Sequence, residues 1–130
     1  MFSIERRDFG FSLVFEGFIS EEEMSAWLDR VKLELASSQG SFGVLVDMRG
    51  MKALPPAAKE VIAEGQRLFK RKGMARSAVA LASRIVAIQF KSIAQETGIY
   101  EWERYIDASA RGDWEAVALG WIVDAIDPDK

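Results

Sequence analysis

The stretch Phe42-Gly43-Val44-Leu45-Val46-Asp47 runs on into Met48-Arg49-Gly50-Met51-Lys52-Ala53-Leu54-Pro55-Pro56. Its first part is short, apolar and unbroken rather than alternating, the pattern of a strand covered on both faces. After Asp47 an arginine, a glycine and two prolines interrupt the apolar residues, so Met48 to Pro56 reads as a loop. Gly50 is expected to supply a positive φ there, and Pro55-Pro56 to stiffen the first turn of a helix. A buried strand leading through a loop into a helix is the repeating unit of an α/β fold.

Working outward, Phe2 to Arg7 and Phe11 to Phe18 are rich in aromatic and branched residues and are separated at Phe9-Gly10, which reads as an antiparallel pair. Ser20 followed by Glu23 is a capping box, and behind it Met24, Trp27, Leu28, Val31 and Leu35 recur at helical spacing. Beyond the prolines a second helix is expected to bury Ala58, Val61, Ile62, Gly65, Leu68 and Phe69 and to stop at Gly73. Ser77 to Ala82 reads as another buried strand. Ser83 caps a third helix with Val86, Phe90, Ile93 and Ala94 inside and Gly98 at its end. Glu101 to Ile106 alternates and reads as a strand near an edge, with Glu103, Tyr105 and Asp107 on a polar face. A fourth helix from Asp113 carries Trp114, Val117, Ala118, Trp121 and Ile122. The order is ββαβαβαβα, which calls for a mixed, mostly parallel sheet with helices packed against it. No linker, repeat or low-complexity tract divides residues 1–130, so one domain is expected.

Composition narrows the chemistry. Hydrophobic residues make up 49% and charged residues 28%, an ordinary globular mixture that sets disorder aside. A net charge of −3 argues against nucleic acid as the main partner, since phosphates call for a basic surface. The chain holds neither cysteine nor histidine. Disulfides, thiolate zinc sites and Ser-His-Asp triads are therefore outside its reach. A carboxylate site for a hard cation is the metal option left, and no EF-hand spacing supports it. No phosphate-cradling glycine motif occurs, and no cofactor is expected. Met1 to Gly10 carries Glu5 and Asp8 and does not read as a signal peptide; no apolar stretch approaches the roughly 18 residues of a membrane span. A cytoplasmic protein is the expectation.

Ligands of open α/β sheets gather at the carboxyl ends of parallel strands. That rule selects Asp47, Arg49 and Gly50 after the third strand, Ser83 and Arg84 after the fourth, and Asp107 after the fifth. The bland reading of the polar ones is local: an Asp at a strand end accepts backbone N–H bonds, and Ser83 is an N-cap. Met51, Leu54, Pro55 and Pro56 either pack beneath their loop or form an apolar contact surface. Arg67, Lys70, Arg71, Lys72 and Arg76 read as a solvated cluster complementing a helix dipole. The four tryptophans are explained by packing.

The element order, with Val44-Leu45-Val46-Asp47-Met48-Arg49-Gly50, resembles the STAS domains, and especially the SpoIIAA-like group bordering on SEC14-type lipid-binding proteins. Ala87-Ile88-Gln89-Phe90-Lys91, Glu103-Arg104-Tyr105-Ile106-Asp107 and Asp113-Trp114-Glu115-Ala116 look like the later part of SpoIIAA-like proteins. The resemblance implies a non-catalytic binding module for a protein partner. Where the antagonists of that superfamily carry Asp-Ser-Ser, this chain has Pro55, Pro56 and Ala57, so the phosphorylated serine has no counterpart. The alternative is SEC14-like binding of a small apolar or lipid ligand near Phe69 and Phe90. A hydrolase using Asp47 or Asp107 ranks third, and an enzyme is not the expectation. An exposed edge at the opening strand or around Trp102 would also admit a homodimer.

Overall fold

In the computed structural model, which describes residues 1–130, the chain opens with strands β1 (Phe2–Arg7) and β2 (Gly10–Gly17), paired antiparallel. Then follow α1 (Glu21–Ala36), β3 (Phe42–Met51), α2 (Pro56–Lys72), β4 (Met74–Leu81), α3 (Arg84–Thr97), β5 (Glu103–Asp107) and α4 (Trp114–Asp124). The fold is α/β: a five-stranded mixed sheet with four helices. The sheet order is β1-β2-β3-β4-β5, and β2 through β5 run parallel. No helix is long and apolar enough to cross a membrane.

Each parallel strand is added beside the one before it. Crossovers of one hand then deliver α1, α2 and α3 to the same face of the sheet. The side chains sort accordingly. Phe11, Leu13 and Phe15 of β2, Val44, Val46 and Met48 of β3, and Val79 and Leu81 of β4 join the main core of 28 buried residues under those helices. The intervening Leu45, Ala78 and Ile106 meet Ala118, Trp121 and Ile122 of α4 on the other face. That two-sided burial is why β3 reads as an unbroken apolar run.

Close packing demands small residues at two points. Gly10 has φ of 149°, and a Cβ there would collide with the Gly43 carbonyl. Gly65 lies in the interior of α2 directly beneath the Trp27 ring, leaving no room for a methyl group. The helix ends follow simple chemistry. The Ser20 hydroxyl accepts the Glu23 N–H at 3.1 Å, while the Glu23 carboxylate pairs with the N-terminal ammonium at 2.8 Å instead of closing a capping box.

Several boundaries differ from the sequence expectation. β3 continues through Met51 because β2 keeps offering a ladder: Glu16 faces Gly50 and Gly17 faces Met51. Gly50 is thus a strand residue and is not among the glycines of positive φ. β4 begins at Met74. Trp102 sits in a 3₁₀ turn (Tyr100–Trp102) before β5. The face of β5 read as polar is turned inward, with Glu103 buried and Tyr105 half-buried against the core. Arg76 leaves the basic cluster altogether. Its guanidinium donates to the Trp121 carbonyl at 2.8 Å and the Ile122 carbonyl at 3.0 Å, satisfying the end of α4.

Candidate functional site

The residues selected from the sequence fall into three separate places. Asp47 and Arg49 lie on the α4 face of β3. Arg49 donates to both carboxylate oxygens of Asp47 at 3.0 Å, and its own backbone N–H reaches Asp47 Oδ1 at 3.1 Å. The guanidinium lies over the Trp114 ring, 4.4 Å from its centroid. The Asp47 bond holds the Arg49 pKa above its ordinary value. Fork-to-carboxylate pairing and ring stacking are both geometries that suit arginine. They close this pair on itself, so Asp47 is committed to a neighbour.

Of the two readings of the loop, packing beneath it describes Met51 and Leu54. Met51 and Leu54 are buried in the main core, beside Met48. Met48 and Met51 are three residues apart, and the register shift between β2 and β3 at Val14 to Glu16 lets both face the core beneath the helices, where Gln89 of α3 holds the loop down. Gln89 Oε1 accepts the Leu54 N–H at 3.0 Å and Gln89 Nε2 donates to the Leu54 carbonyl at 3.3 Å. One side-chain amide thus does for the loop what a neighbouring strand would do. Pro55 is the N-cap residue of α2 and Pro56 its first residue.

Ser83 and Asp107 are brought together. They line a surface groove of about 320 Å³ between the carboxyl ends of β4 and β5 and the first turns of α3. Ser83 Oγ accepts the Val86 N–H at 3.3 Å and so serves as the N-cap. Asp107 accepts both the hydroxyl and the backbone N–H of Ser109, which hold its carboxyl below the usual range. The polar rim adds Arg84 and Lys91, neither of which has a carboxylate partner. The Lys91 ammonium stands 5.4 Å from the centroid of the Tyr105 ring, another wall of the groove. Ile88 completes the wall at 67% exposed, and Ile85 beside it is 64% exposed. Strand-end rules select neither isoleucine, and Ile88 enters the sequence analysis only through the family resemblance. The signal was available: they fall outside the Val86, Phe90, Ile93 and Ala94 stripe that packs on the sheet.

A cavity of about 40 Å³ lies in the main core, walled by Phe69 and Phe90 together with Trp27, Gln66, Ser77 and Glu103. Its place matches the one expected for a small apolar ligand. Its volume suits about three or four waters and no lipid, given roughly 10–15 Å³ of such space per water. Glu103 Oε2 accepts the Ser77 hydroxyl and Oε1 the Tyr105 hydroxyl, each at 2.6 Å. Burial outweighs those two bonds and pushes the Glu103 carboxyl above its ordinary value; burial and the facing carboxyl raise Tyr105 likewise. Sequence alternation gave no hint of this cluster. No three carboxylates converge to hold a metal ion.

No family model matches this chain, and no curated protein matches it either.

Proposed function

We propose that this chain is a non-catalytic, STAS-like binding module that docks a protein partner on the exposed face of α3 beside the groove. The observation that carries the reading is the pair Ile85 and Ile88, one helical turn apart and about two thirds exposed at the carboxyl edge of the sheet. Aliphatic side chains held out on a rigid helix next to a groove are the anatomy of a contact patch. Arg84 and Lys91 bracket Ile88 on one stripe of the helix, four residues before and three after. That arrangement favours a partner offering an apolar side chain flanked by carboxylates.

The element order, Asp47 with Gly50, and the Glu103 to Asp107 segment support the STAS-like assignment. With Pro55 and Pro56 fixed at the start of α2, regulation does not run through a phosphorylated hydroxyl there. Lipid carriage draws no support from a 40 Å³ cavity.

The test is affinity capture from native lysate with wild type and an Ile85→Glu, Ile88→Glu variant. Both positions are exposed, so the variant should fold with a stability change within about 0.5 kcal/mol per site. Proteins retained by wild type and lost by the variant are the expected result, with retention weakening as salt is raised. Identical partner lists would sink the proposal. β1 and β5 are both sheet edges, so pairing between copies is a second mode. Light scattering across a concentration series tests it, and a constant monomer mass would remove it.

A further inference from the structure

Trp27 is 2% exposed, and its indole N–H has no hydrogen-bond partner. It is the one buried side-chain polar atom of the protein in that state. Trp27 also lines the core cavity, as do Ser77 and Glu103. A buried donor is almost always satisfied by protein or by ordered water, and the cavity is the space from which an acceptor could come.

The same trio also offers acceptors to the cavity. The Ser77 and Tyr105 hydroxyls point at the two oxygens of Glu103. The oxygens of Ser77 and Glu103 keep lone pairs beyond those two bonds. Ser77 and Glu103 are 1% and 5% exposed, so bulk solvent does not reach them. Tyr105 reaches towards the surface groove, whereas the other two border the cavity.

We propose that this cavity is a hydration site, in which ordered water accepts the Trp27 indole N–H at one wall and donates to the oxygens of Ser77 or Glu103 at another. Water is the ligand that fits: it offers two lone pairs and two hydrogens, and about 40 Å³ has room for roughly three or four molecules. A purely apolar cavity of this size would stay dry; this one, lined mainly by apolar side chains, also carries Trp27, Gln66, Ser77 and Glu103 in its wall. The hydrated site lies within the packing of α1, α2 and the buried face of α3 on the sheet, away from the exposed Ile85 and Ile88.

The test is water-selective NOE and ROE spectroscopy on the ¹⁵N-labelled protein, read at the Trp27 indole proton. The resonance is assigned by its loss in Trp27→Phe. If that variant does not fold, single Phe replacements of Trp102, Trp114 and Trp121 assign it by elimination. The expected result is a water cross-peak of dipolar sign at Trp27, marking a long-lived neighbour. Absence of that cross-peak overturns the proposal. So does xenon pressurisation that shifts the methyl groups of Val44, Val46 and Ile62 at low pressure, because xenon enters dry apolar space.

Discussion

Replacing Glu103 by Gln isolates what a buried carboxyl does to this fold. Two hydroxyls donating at 2.6 Å favour the ionised form, yet burial prevails and the carboxyl titrates above its ordinary 4.5. In the unfolded chain it returns to about the ordinary value. Between those two values the folded state holds a proton that the unfolded state has released. Stability from this group is therefore complete below the unfolded pKa and declines as pH rises towards the folded one. The slope for one proton is at most about 1.4 kcal/mol per pH unit. Glutamine keeps the shape and cannot titrate: its carbonyl accepts from one hydroxyl, and its amide donates to the other oxygen. Urea unfolding followed by tryptophan fluorescence, from about pH 5 to about pH 8, gives both stabilities. Subtracting the wild-type value from that of Glu103→Gln cancels every other titrating group. The difference should grow in favour of the variant as pH rises above the ordinary carboxyl value. Glu103→Ala should instead lose stability throughout, about 1–3 kcal/mol for each hydroxyl left unpaired. A difference for Glu103→Gln that is flat or falls with pH would refute the claim that burial outweighs the two hydroxyls.

Three further outcomes follow from named contacts. Gly65→Ala gains about 1 kcal/mol of helix propensity but forces a methyl group into the Trp27 ring, for which overpacking costs about 1–3 kcal/mol. Thermal unfolding should show a net loss, and adding Trp27→Phe should recover part of it through a coupling above about 0.5 kcal/mol. Gln89→Ala removes both bonds to Leu54 and should cost about 1–3 kcal/mol. Hydrogen exchange at the Leu54 amide should quicken, and unchanged exchange would count against the lock. Arg76→Ala leaves the Trp121 and Ile122 carbonyls without their charged donor and should cost roughly 1.5–3 kcal/mol. Faster exchange confined to the last turn of α4 is its signature.

Local rules recover what local physics decides. The inner faces of α1 and α3, the caps Ser20 and Ser83 and the doubly buried β3 were legible because each depends on neighbours a few residues away. Met48 to Met51 was not. A charge and a glycine look like a loop until β2, more than thirty residues earlier, supplies the ladder that extends the strand. Glu103 failed for a related reason. A carboxylate on an alternating strand is placed in water by default, and the donors that let it turn inward, Ser77 on the adjacent strand and Tyr105 packed against the core, are set by tertiary structure.

The strand ends were legible as a position, and the sheet order explains which of their residues come together. A doubly wound sheet reverses its strand order and opens a crevice at the reversal. Here the order β1-β2-β3-β4-β5 never reverses, and no such crevice forms above β3. The space is closed by the Leu54 loop, held in place by Gln89 from the next helix along. Strand-end residues therefore remain open only towards the β5 edge, where Ser83 and Asp107 meet across the groove and Asp47 does not join them. What makes that place a candidate is not those two residues, both occupied with their own loops, but the uncommitted groups around them. Arg84 and Lys91 lack carboxylates, and Ile85 and Ile88 lack cover. A site built from what the fold leaves unsatisfied cannot be read from strand-end rules; it emerges once each neighbour's partner is known.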